Sequence, residues 1–429
     1  MVNIIGGGLA GCETAYQIAK QGIDVKIYEM KPKKFSPAHN NENLAEIVCS
    51  NSFKSNLHTN ACGLLKEELR RLDSLLIKCA DKTSVPAGQA LAVDRNKFSK
   101  MVTEEIKKMK NIEIINREIE DFKELEGIIV IATGPLTSEK LSENIKKLTG
   151  NNGLHFYDAA APIIEKESID MNIAFMGDRY GKGEACYINL PMNKEEYEGF
   201  YNELVKAEVV ELHKFEKREI FEGCMPIEIM AKRGIDTLRF GPLKPVGFVD
   251  PRTNERPYAI VQLRQDNYEG NLYNMVGFQT NLKFGEQKRI FSLIPGLQNA
   301  EYTKYGVMHR NTFINSPELL DNTYNLKDNS NIYFAGQITG VEGYVESISS
   351  GMVVGVNIIN KIKNKEKVIF SKKTMIGALA DYISTQNKNF QPMNANFGIL
   401  PELDNKIRDK RLKYKELADR ALNTLKVNY

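Results

Sequence analysis

The sequence contains no tryptophan, no Cys-x-x-Cys pair and no apolar run as long as the eighteen or so residues that a membrane-spanning helix needs. Its cysteines are scattered along the chain, which argues against a zinc site or a disulfide framework. Glycines and Glu13 interrupt the apolar N-terminus too early for a signal peptide. We therefore expect a cytoplasmic protein without a membrane segment or a bound metal, in which any reactive cysteine acts singly.

Charge of either sign is not in excess, because 58 Lys and Arg residues face 55 Asp and Glu residues and leave a net charge of +3. This balance neither requires nor excludes a nucleic-acid partner, since binding depends on a local basic patch rather than on the total. The hydrophobic fraction of 42% and the length of 429 residues suffice for a folded protein of two or three domains. Most basic stretches are only solvated faces, but four are candidates for nucleic-acid binding: Arg70-Arg71, Lys232-Arg233, Lys361 to Lys373 and Lys406 to Lys415.

The N-terminus follows the pattern of a strand, a helix and a second strand. An apolar run occupies residues 2–5, a helical periodicity extends from Cys12 to Lys20, and residues 24–29 have the composition of a strand. The segment Gly6-x-Gly8-x-x-Gly11 lies between the first strand and the helix. This order is typical of a dinucleotide-binding βαβ unit.

Each residue of this motif has a separate physical task. Gly6 permits a tight turn, Gly8 lets the backbone approach a pyrophosphate, and Gly11 lets the helix pack closely on the strand. The N-terminus of the helix faces the phosphates. Glu29 ends the second strand, where a carboxylate accepts a hydrogen bond from a ribose hydroxyl. A glycine-rich turn that serves packing alone would leave Glu29 unexplained.

Two later segments favour FAD over NAD as the dinucleotide. Residues 128–134 form a wholly apolar strand that ends in a turn, and residues 332–336 repeat that style ahead of a predicted helix over 349–361. A dehydrogenase that binds NAD alone would not need this closing segment. The glycines that we expect to lie near the cofactor in these turns are Gly134, Gly336, Gly340, Gly343 and Gly351.

The middle of the chain differs from both ends, since residues 151–324 contain short strand-like runs, prolines and many aromatic residues. We predict an α/β fold with a discontinuous Rossmann-like FAD-binding domain and an inserted α+β domain. The first part of the FAD-binding domain is expected over 1–150 and the insertion over 151–324. The second part and a C-terminal helical segment are expected over 325–429. Within the first part, residues 64–80 and 96–110 have the periodicity of amphipathic helices.

Six segments of the sequence form long motifs: Val48-Cys49-Ser50-Asn51-Ser52, Ser84-Val85-Pro86-Ala87-Gly88, Phe221-Glu222-Gly223-Cys224-Met225-Pro226-Ile227-Glu228, Tyr305-Gly306-Val307-Met308-His309-Arg310-Asn311-Thr312, Gly340-Val341-Glu342-Gly343-Tyr344-Val345-Glu346-Ser347 and Asn389-Phe390-Gln391-Pro392-Met393-Asn394. Together these motifs resemble those of one family, the folate- and FAD-dependent tRNA (uracil-5-)-methyltransferases, and the resemblance covers nearly the whole chain. A more distant resemblance, to the flavoprotein subunit that modifies wobble uridines, extends to the FAD-binding layout and the Gly343-Tyr344 turn.

The resemblance implies the synthesis of ribothymidine in the T-loop of tRNA. Methylenetetrahydrofolate would donate the carbon, reduced flavin would carry it and supply the final hydride, and NAD(P)H would reduce the flavin. A uracil C5 becomes nucleophilic only after a thiolate adds to C6, so such an enzyme needs a cysteine beside the base.

The resemblance also assigns roles to single residues. Cys224 matches the cysteine that attacks C6, and Cys49 matches the one that removes the C5 proton or shields the flavin adduct. His309 would stack on the folate pterin, and Tyr344 would contact the flavin cofactor. We expect the remaining cysteines to be small buried side chains: Cys12, Cys62, Cys79 and Cys186.

Three alternatives remain open at this point. The same chemistry could act on a uridine of 23S ribosomal RNA, because paralogues similar to this family share its catalytic motifs. An NAD(P)H-dependent flavin oxidoreductase without an RNA substrate would carry the same FAD motifs, with structural cysteines. A flavoprotein that binds RNA without catalysis is the third.

Overall fold

The computed structural model describes residues 1–150, 154–181, 186–210, 225–387 and 390–425, of which 154–158, 181, 309 and 310 are described by their backbone alone. The strands are β1 (Val2–Ile5), β2 (Val25–Glu29), β3 (Ser52–Ser55), β4 (Ser84–Val85), β5 (Ala90–Val93), β6 (Ile112–Asn116), β7 (Ile128–Ile131), β8 (Leu154–Ala159), β9 (Ile163–Glu165), β10 (Phe175–Gly177), β11 (Tyr187–Met192), β12 (Ala259–Gln265), β13 (Leu272–Met275), β14 (Tyr302–Lys304), β15 (Met308–Phe313), β16 (Asn325–Leu326) and β17 (Asn329–Phe334).

The helices are α1 (Leu9–Ala19), α2 (Ala61–Arg71), α3 (Leu75–Lys82), α4 (Arg95–Lys108), α5 (Glu139–Thr149), α6 (Lys194–Lys206), α7 (Ile227–Ala231), α8 (Thr237–Phe240), α9 (Phe284–Phe291), α10 (Ser316–Leu319), α11 (Tyr344–Ile362), α12 (Met375–Ser384) and α13 (Lys410–Thr424). Within the described ranges, no helix combines the length and the apolar character that crossing a membrane requires.

The first sheet has the strand order β16-β17-β7-β1-β2-β6. Its neighbours pair in parallel, except that β16 runs antiparallel to β17 at the edge. In β1 the fully buried Ile4 lies opposite Ile27 of β2 and Val130 of β7. This confirms the βαβ unit and the Rossmann-like α/β fold, because apolar strands of this kind form parallel sheets covered on both faces.

Helices α1 and α11 pack closely against each other. The hydroxyl of Thr14 donates a 3.0 Å hydrogen bond to the carbonyl of Gly351, and a Cβ at Gly351 would overlap the backbone of Ala10. The two helices therefore approach through a small residue. This contact joins the N-terminal βαβ unit to the part of the chain that closes the sheet.

The second sheet is antiparallel, in the order β10-β11-β12-β13-β9-β14. A second hydrophobic core lies against it, in which the Phe278 ring is 6.2 Å from that of Phe200 and 5.3 Å from that of Phe291. Strands β8 and β15 form a separate antiparallel pair where the chain passes from the first sheet to the second and back. The domain bounds given above stay a prediction.

Two helix predictions need correction. Residues 64–80 do not form one helix, because Asp73 adopts a left-handed φ of 64° between α2 and α3 and Ser74 caps the helix that follows. The helix predicted over 349–361 begins earlier, at Tyr344, after Gly343 at its N-cap. The buried polar residues Glu346 and Ser347 in its first turns conceal the apolar periodicity.

Candidate functional site

A cleft with about 1130 Å³ of open space lies at the carboxyl ends of β1, β2, β7 and β17. We call it the dinucleotide cleft. In open α/β sheets ligands bind at this edge of the strands. Its walls include Glu29 at the end of β2, the glycines Gly6, Gly8, Gly134 and Gly336, which follow β1, β7 and β17, and Tyr344, the first residue of α11.

The glycines of the N-terminal motif differ in what surrounds them. Gly6 has a φ of 104°, a conformation that favours glycine, and a Cβ there would meet the backbone of Ala132. A Cβ at Gly11 would overlap the carbonyl oxygen of Gly6. At Gly8, by contrast, a Cβ would meet no described atom within 4 Å. Gly6 and Gly11 therefore serve the turn and the packing, whereas Gly8 borders open space in the cleft.

Glu29 is buried at the end of β2 and both of its carboxylate oxygens accept backbone hydrogen bonds. Oε2 accepts from the N–H of Gly7 at 2.9 Å and Oε1 from the N–H of Lys31 at 3.0 Å. These bonds hold the carboxylate in the cleft wall beside the N-terminus of α1. The arrangement fits a dinucleotide, with a carboxylate for a ribose hydroxyl and a helix N-terminus for phosphates.

The cleft also contains residues that sequence reasoning missed. Lys31 is buried and forms a 3.2 Å ion pair with Glu46, and His39 lies beside them. Burial and the neighbouring Lys31 lower the pKa of His39. Arg117, just after β6, places its guanidinium 5.5 Å from the ring centre of Tyr28. These side chains come from loops, where no spacing pattern marks a cofactor contact.

The other predicted glycines of the later segment lie against protein atoms. A Cβ at Gly340 would meet the ring of Phe390, and one at Gly343 would meet the carboxylate of Glu346. Gly351 lies in the contact between α1 and α11. At these three positions and at Gly11, the close neighbouring atoms explain why the residue is glycine, because a side chain would not fit. A contact of these glycines with the cofactor stays a prediction.

Cys49 lies between the dinucleotide cleft and the second sheet. Its backbone N–H donates to the hydroxyl of Tyr344 at 3.0 Å, and its carbonyl accepts from the guanidinium of Arg95 at 2.8 Å. Its thiol is half-buried and lies 3.8 Å from the carbonyl oxygen of Ala159, the last residue of β8. Arg95 is in turn held by the carboxylate of Asp266. The cysteine is thus fixed by contacts from three distant parts of the chain.

A smaller cavity adjoins Cys49, and we call it the Cys49 cavity. Arg264 in its wall is 7% exposed. Lys304 is close by, since its ammonium donates to the carbonyl of Val48 at 3.3 Å. These cations favour negative charge in the cavity. The lining residues are Cys49, Ser50, Ala161, Arg264, Asn274, Val276, Gly277 and Gln279.

Cys224 lies outside the described residues. The chain that follows it is described: Met225 is buried, and the N–H of Ile227 donates at 2.7 Å to the carbonyl of Gln279, which lines the Cys49 cavity. The side chain of His309 is likewise not described. In the register of β15 and β8, His309 is opposite Asp158, and its neighbour Met308 is opposite Ala159, the residue that the Cys49 thiol contacts.

The remaining cysteines are buried as predicted. Burial raises the pKa of Cys62 to about 11 and that of Cys79 to about 12, and it raises the pKa of Cys12 as well. Cys186 is 7% exposed. Buried thiols of this kind are poor nucleophiles. Within the described residues, no group of three or more His, Cys, Asp or Glu side chains is arranged to hold a metal ion.

Comparison with known proteins gives a consistent result. Residues 1–366 match the family described as "Glucose inhibited division protein A". The chain is 65% identical over 426 residues to the methylenetetrahydrofolate–tRNA-(uracil-5-)-methyltransferase TrmFO of Acetivibrio thermocellus, covering 99% of this chain and 98% of the relative. It is 58% identical over 427 residues to the TrmFO of Staphylococcus saprophyticus, with the same two coverages.

A solved structure of Aquifex aeolicus GidA shares the fold. It superposes with a TM-score of 0.71 and 16% sequence identity, and the match covers 98% of this chain and 72% of that one. At this identity the likeness concerns the fold alone. It agrees with the α/β architecture described above.

Proposed function

Since this chain belongs to the glucose inhibited division protein A family and, within it, to the methylenetetrahydrofolate–tRNA-(uracil-5-)-methyltransferases, we propose that it makes 5-methyluridine in tRNA with methylenetetrahydrofolate as carbon donor. The position of Cys49 carries this proposal. Cys49 lies between the dinucleotide cleft and the small polar Cys49 cavity, which we propose for the base. A one-carbon group transferred from the cofactor to the base would pass between these two cavities. The relatives' names specify tRNA, so we propose tRNA, and its T-loop uridine, rather than 23S ribosomal RNA.

FAD is the cofactor that we propose for the dinucleotide cleft. Glu29 would accept from a ribose hydroxyl, and Gly8 with the N-terminus of α1 would face the pyrophosphate. Gly336 and Tyr344 would lie at the other end of the cleft. When bound and reduced, FAD supplies a carrier for the one-carbon unit and the final hydride. We infer NAD(P)H as its reductant, and the cytoplasm, where tRNA is modified, as the place of action.

The two cysteines divide the chemistry on the base. The Cys224 thiolate adds to C6 of the uracil, because C5 cannot attack a carbon donor until that addition occurs. Cys49 either removes the proton from C5 after transfer or shields the cofactor from water. The backbone bonds to Tyr344 and Arg95 keep Cys49 at the boundary of the two cavities. We propose that His309 stacks on the pterin of the folate.

RNA must present the base outside its stack to reach these groups. Basic side chains would hold the phosphates meanwhile, so affinity should fall as salt rises. The candidates remain Arg70-Arg71, Lys232-Arg233 and the segments 361–373 and 406–415. Part of this charge is already paired, since Arg70 forms a bidentate bond with Asp81. The C-terminal segments are also paired in part, because Lys367 forms an ion pair with Asp321, Lys372 with Asp381 and Lys415 with Asp419.

One experiment tests the function directly. The purified protein is incubated with methylenetetrahydrofolate, NADPH and separate pools of undermodified tRNA and 23S ribosomal RNA, and 5-methyluridine is mapped. We expect methylation of the tRNA T-loop. Methylation confined to ribosomal RNA would show that ribosomal RNA, rather than tRNA, is the substrate. NADPH oxidation without methylation of either RNA would favour a flavin oxidoreductase, and bound FAD with neither activity would favour a non-catalytic RNA-binding protein.

A further inference from the structure

Arg264 is a buried cation whose hydrogen bonds go to neutral groups. It is on β12 and 7% exposed. Its Nε donates to Asn51 Oδ1 at 2.9 Å, and its Nη2 donates to Ser50 Oγ at 2.7 Å and to Asn274 Oδ1 at 3.5 Å. Within the described part of the chain these acceptors are all uncharged. A buried guanidinium is normally compensated by an anion, because removing its charge from water is costly.

The neighbouring arginine shows the usual arrangement. The Arg95 side chain is 14% exposed, and Asp266 accepts from both its Nε and its Nη2 at 2.9–3.1 Å. Asp266 is thus engaged by Arg95 and leaves Arg264 without a carboxylate in its hydrogen bonds. Burial lowers the pKa of Arg264, which agrees with this difference. Arg264 also lines the Cys49 cavity together with Asn274 and Gln279.

We propose that the Cys49 cavity binds the target uracil and that Arg264 donates a hydrogen bond to its O4. This inference rests on the proposed function. When a thiolate adds to C6, its electron pair forms the new S–C6 bond, the C5=C6 π bond opens, and the negative charge is delocalised over C5 and O4 as an enolate. The guanidinium then receives the anion that it lacks. Stabilising a charge that develops in the transition state is among the largest catalytic effects that a single side chain provides.

The same geometry accounts for selection of uracil over cytosine. Cytosine has an amino group where uracil has O4, so two donors would face each other at Arg264. The amides of Asn274 and Gln279 provide donors and acceptors for O2 and N3–H, the remaining polar positions of the ring. A cavity that leaves a buried donor unpaired rejects the wrong base strongly.

Two substitutions test the proposal, Arg264→Gln and Asn274→Asp. The first removes the cation. The second keeps the shape of the side chain but adds a carboxylate beside Arg264, which would neutralise the guanidinium without emptying the cavity. The matched control is Arg252→Gln, which removes a partly exposed guanidinium that is paired with Asp250 at 2.7 Å and lies in the loop before β12.

The main measurement is the rate of covalent adduct formation with tRNA that carries 5-fluorouridine at the target position. The other measurements are tRNA affinity, flavin content and the folate-dependent change of the flavin spectrum without RNA. We expect both variants to form the adduct about 10²–10³-fold more slowly, as when an oxyanion-binding donor is lost. Affinity for tRNA should change less than about threefold, since phosphate contacts dominate it. Flavin content and the folate response should match those of the wild type, and the control should react normally.

Three results would overturn the proposal. One is adduct formation at the wild-type rate in Arg264→Gln. Another is a folate-dependent change of the flavin spectrum that is reduced in the variants as much as the rate of adduct formation. That result would mean that the Cys49 cavity binds folate. If Arg264→Gln fails to fold, Asn274→Asp decides alone, and a wild-type rate in that variant contradicts the proposal. Failure of the wild-type protein to methylate any RNA is a separate outcome, which rejects the proposed function itself.

Discussion

The hydroxyl of Tyr344 accepts a 3.0 Å hydrogen bond from the backbone N–H of Cys49, although 295 residues separate the two in the chain. Tyr344 is the first residue of α11 and lines the dinucleotide cleft, while Cys49 lines the smaller cavity. The Tyr344 ring also packs 5.5 Å from that of Phe53 on β3. One side chain therefore connects the cofactor region with the loop that carries a proposed catalytic cysteine.

Replacing Tyr344 by Phe tests this connection. The ring remains and its packing is kept, but the Cys49 N–H loses its acceptor. A hydrogen bond of this kind contributes about 1–1.5 kcal/mol, so we expect kcat for tRNA methylation to fall about tenfold while FAD stays bound. Visible absorbance measures the flavin content and product mapping the rate. Tyr382→Phe, which removes a hydroxyl bonded to Gln391, is the matched control. An unchanged kcat in Tyr344→Phe would show that this bond does not position Cys49.

Valine substitutions at Gly8 and at Gly11 should have different outcomes. Gly8 is the N-cap of α1, and a Cβ there would meet no described atom within 4 Å. In Gly8→Val the fold should therefore lose only on the order of 1 kcal/mol from the poorer N-cap, while the protein should purify without FAD. A valine at Gly11 would overlap the Gly6 carbonyl, so the fold itself should fail. Circular dichroism and flavin content distinguish the two. Full flavin retention in Gly8→Val would remove this loop from the cofactor site.

His309 tests the proposed folate position. In His309→Ala we expect the apparent KM for methylenetetrahydrofolate to rise about fivefold, because an aromatic stacking partner contributes on the order of 1 kcal/mol. Flavin content should stay at the wild-type level. His58→Ala removes an exposed histidine and serves as the control. Equal folate KM values for the two variants would exclude His309 from the folate site.

The burial of Glu68 predicts that the free energy of unfolding depends on pH. Glu68 is fully buried on α2, and its carboxylate accepts from the N–H groups of Met375 and Ile376 at the start of α12. Burial raises its pKa from the ordinary 4.5 to about 8. Between about pH 4.5 and 8 the carboxyl therefore keeps its proton in the folded state but has lost it in the unfolded state. The contribution of Glu68 to the free energy of unfolding declines as the pH rises through that window.

Urea unfolding of wild type and Glu68→Gln between pH 5 and 8 measures this contribution. The variant keeps one acceptor and does not titrate, so its free energy of unfolding should decline less steeply with pH than that of the wild type. Parallel pH profiles would mean that Glu68 is ionised in the folded protein throughout the range.

The sequence predicts the N-terminal unit well because its information is local. The spacing of Gly6, Gly8 and Gly11 and the apolar run at β7 lead to the parallel sheet, and the cleft follows from the sheet. The bond between Tyr344 and Cys49 and the contact of Arg264 with Asn51 join segments hundreds of residues apart. No periodicity marks such pairs. The family resemblance identifies the cysteine motifs, but the uncharged hydrogen-bond acceptors of Arg264 become visible only once β12 is placed beside the Cys49 loop.

The most direct measurement of the central claim is covalent trapping of the base. A thiolate that adds to C6 of 5-fluorouridine stays bound once the carbon donor has reacted, since fluorine cannot leave as a cation. With fluorinated tRNA and methylenetetrahydrofolate, the wild-type protein should give an adduct that survives denaturation. Cys224→Ala should give none, and Cys49→Ala should lose turnover while retaining some capacity for attack. An adduct with Cys224→Ala but not with Cys49→Ala would reverse the two roles, and normal turnover in both variants would contradict the methyltransferase mechanism.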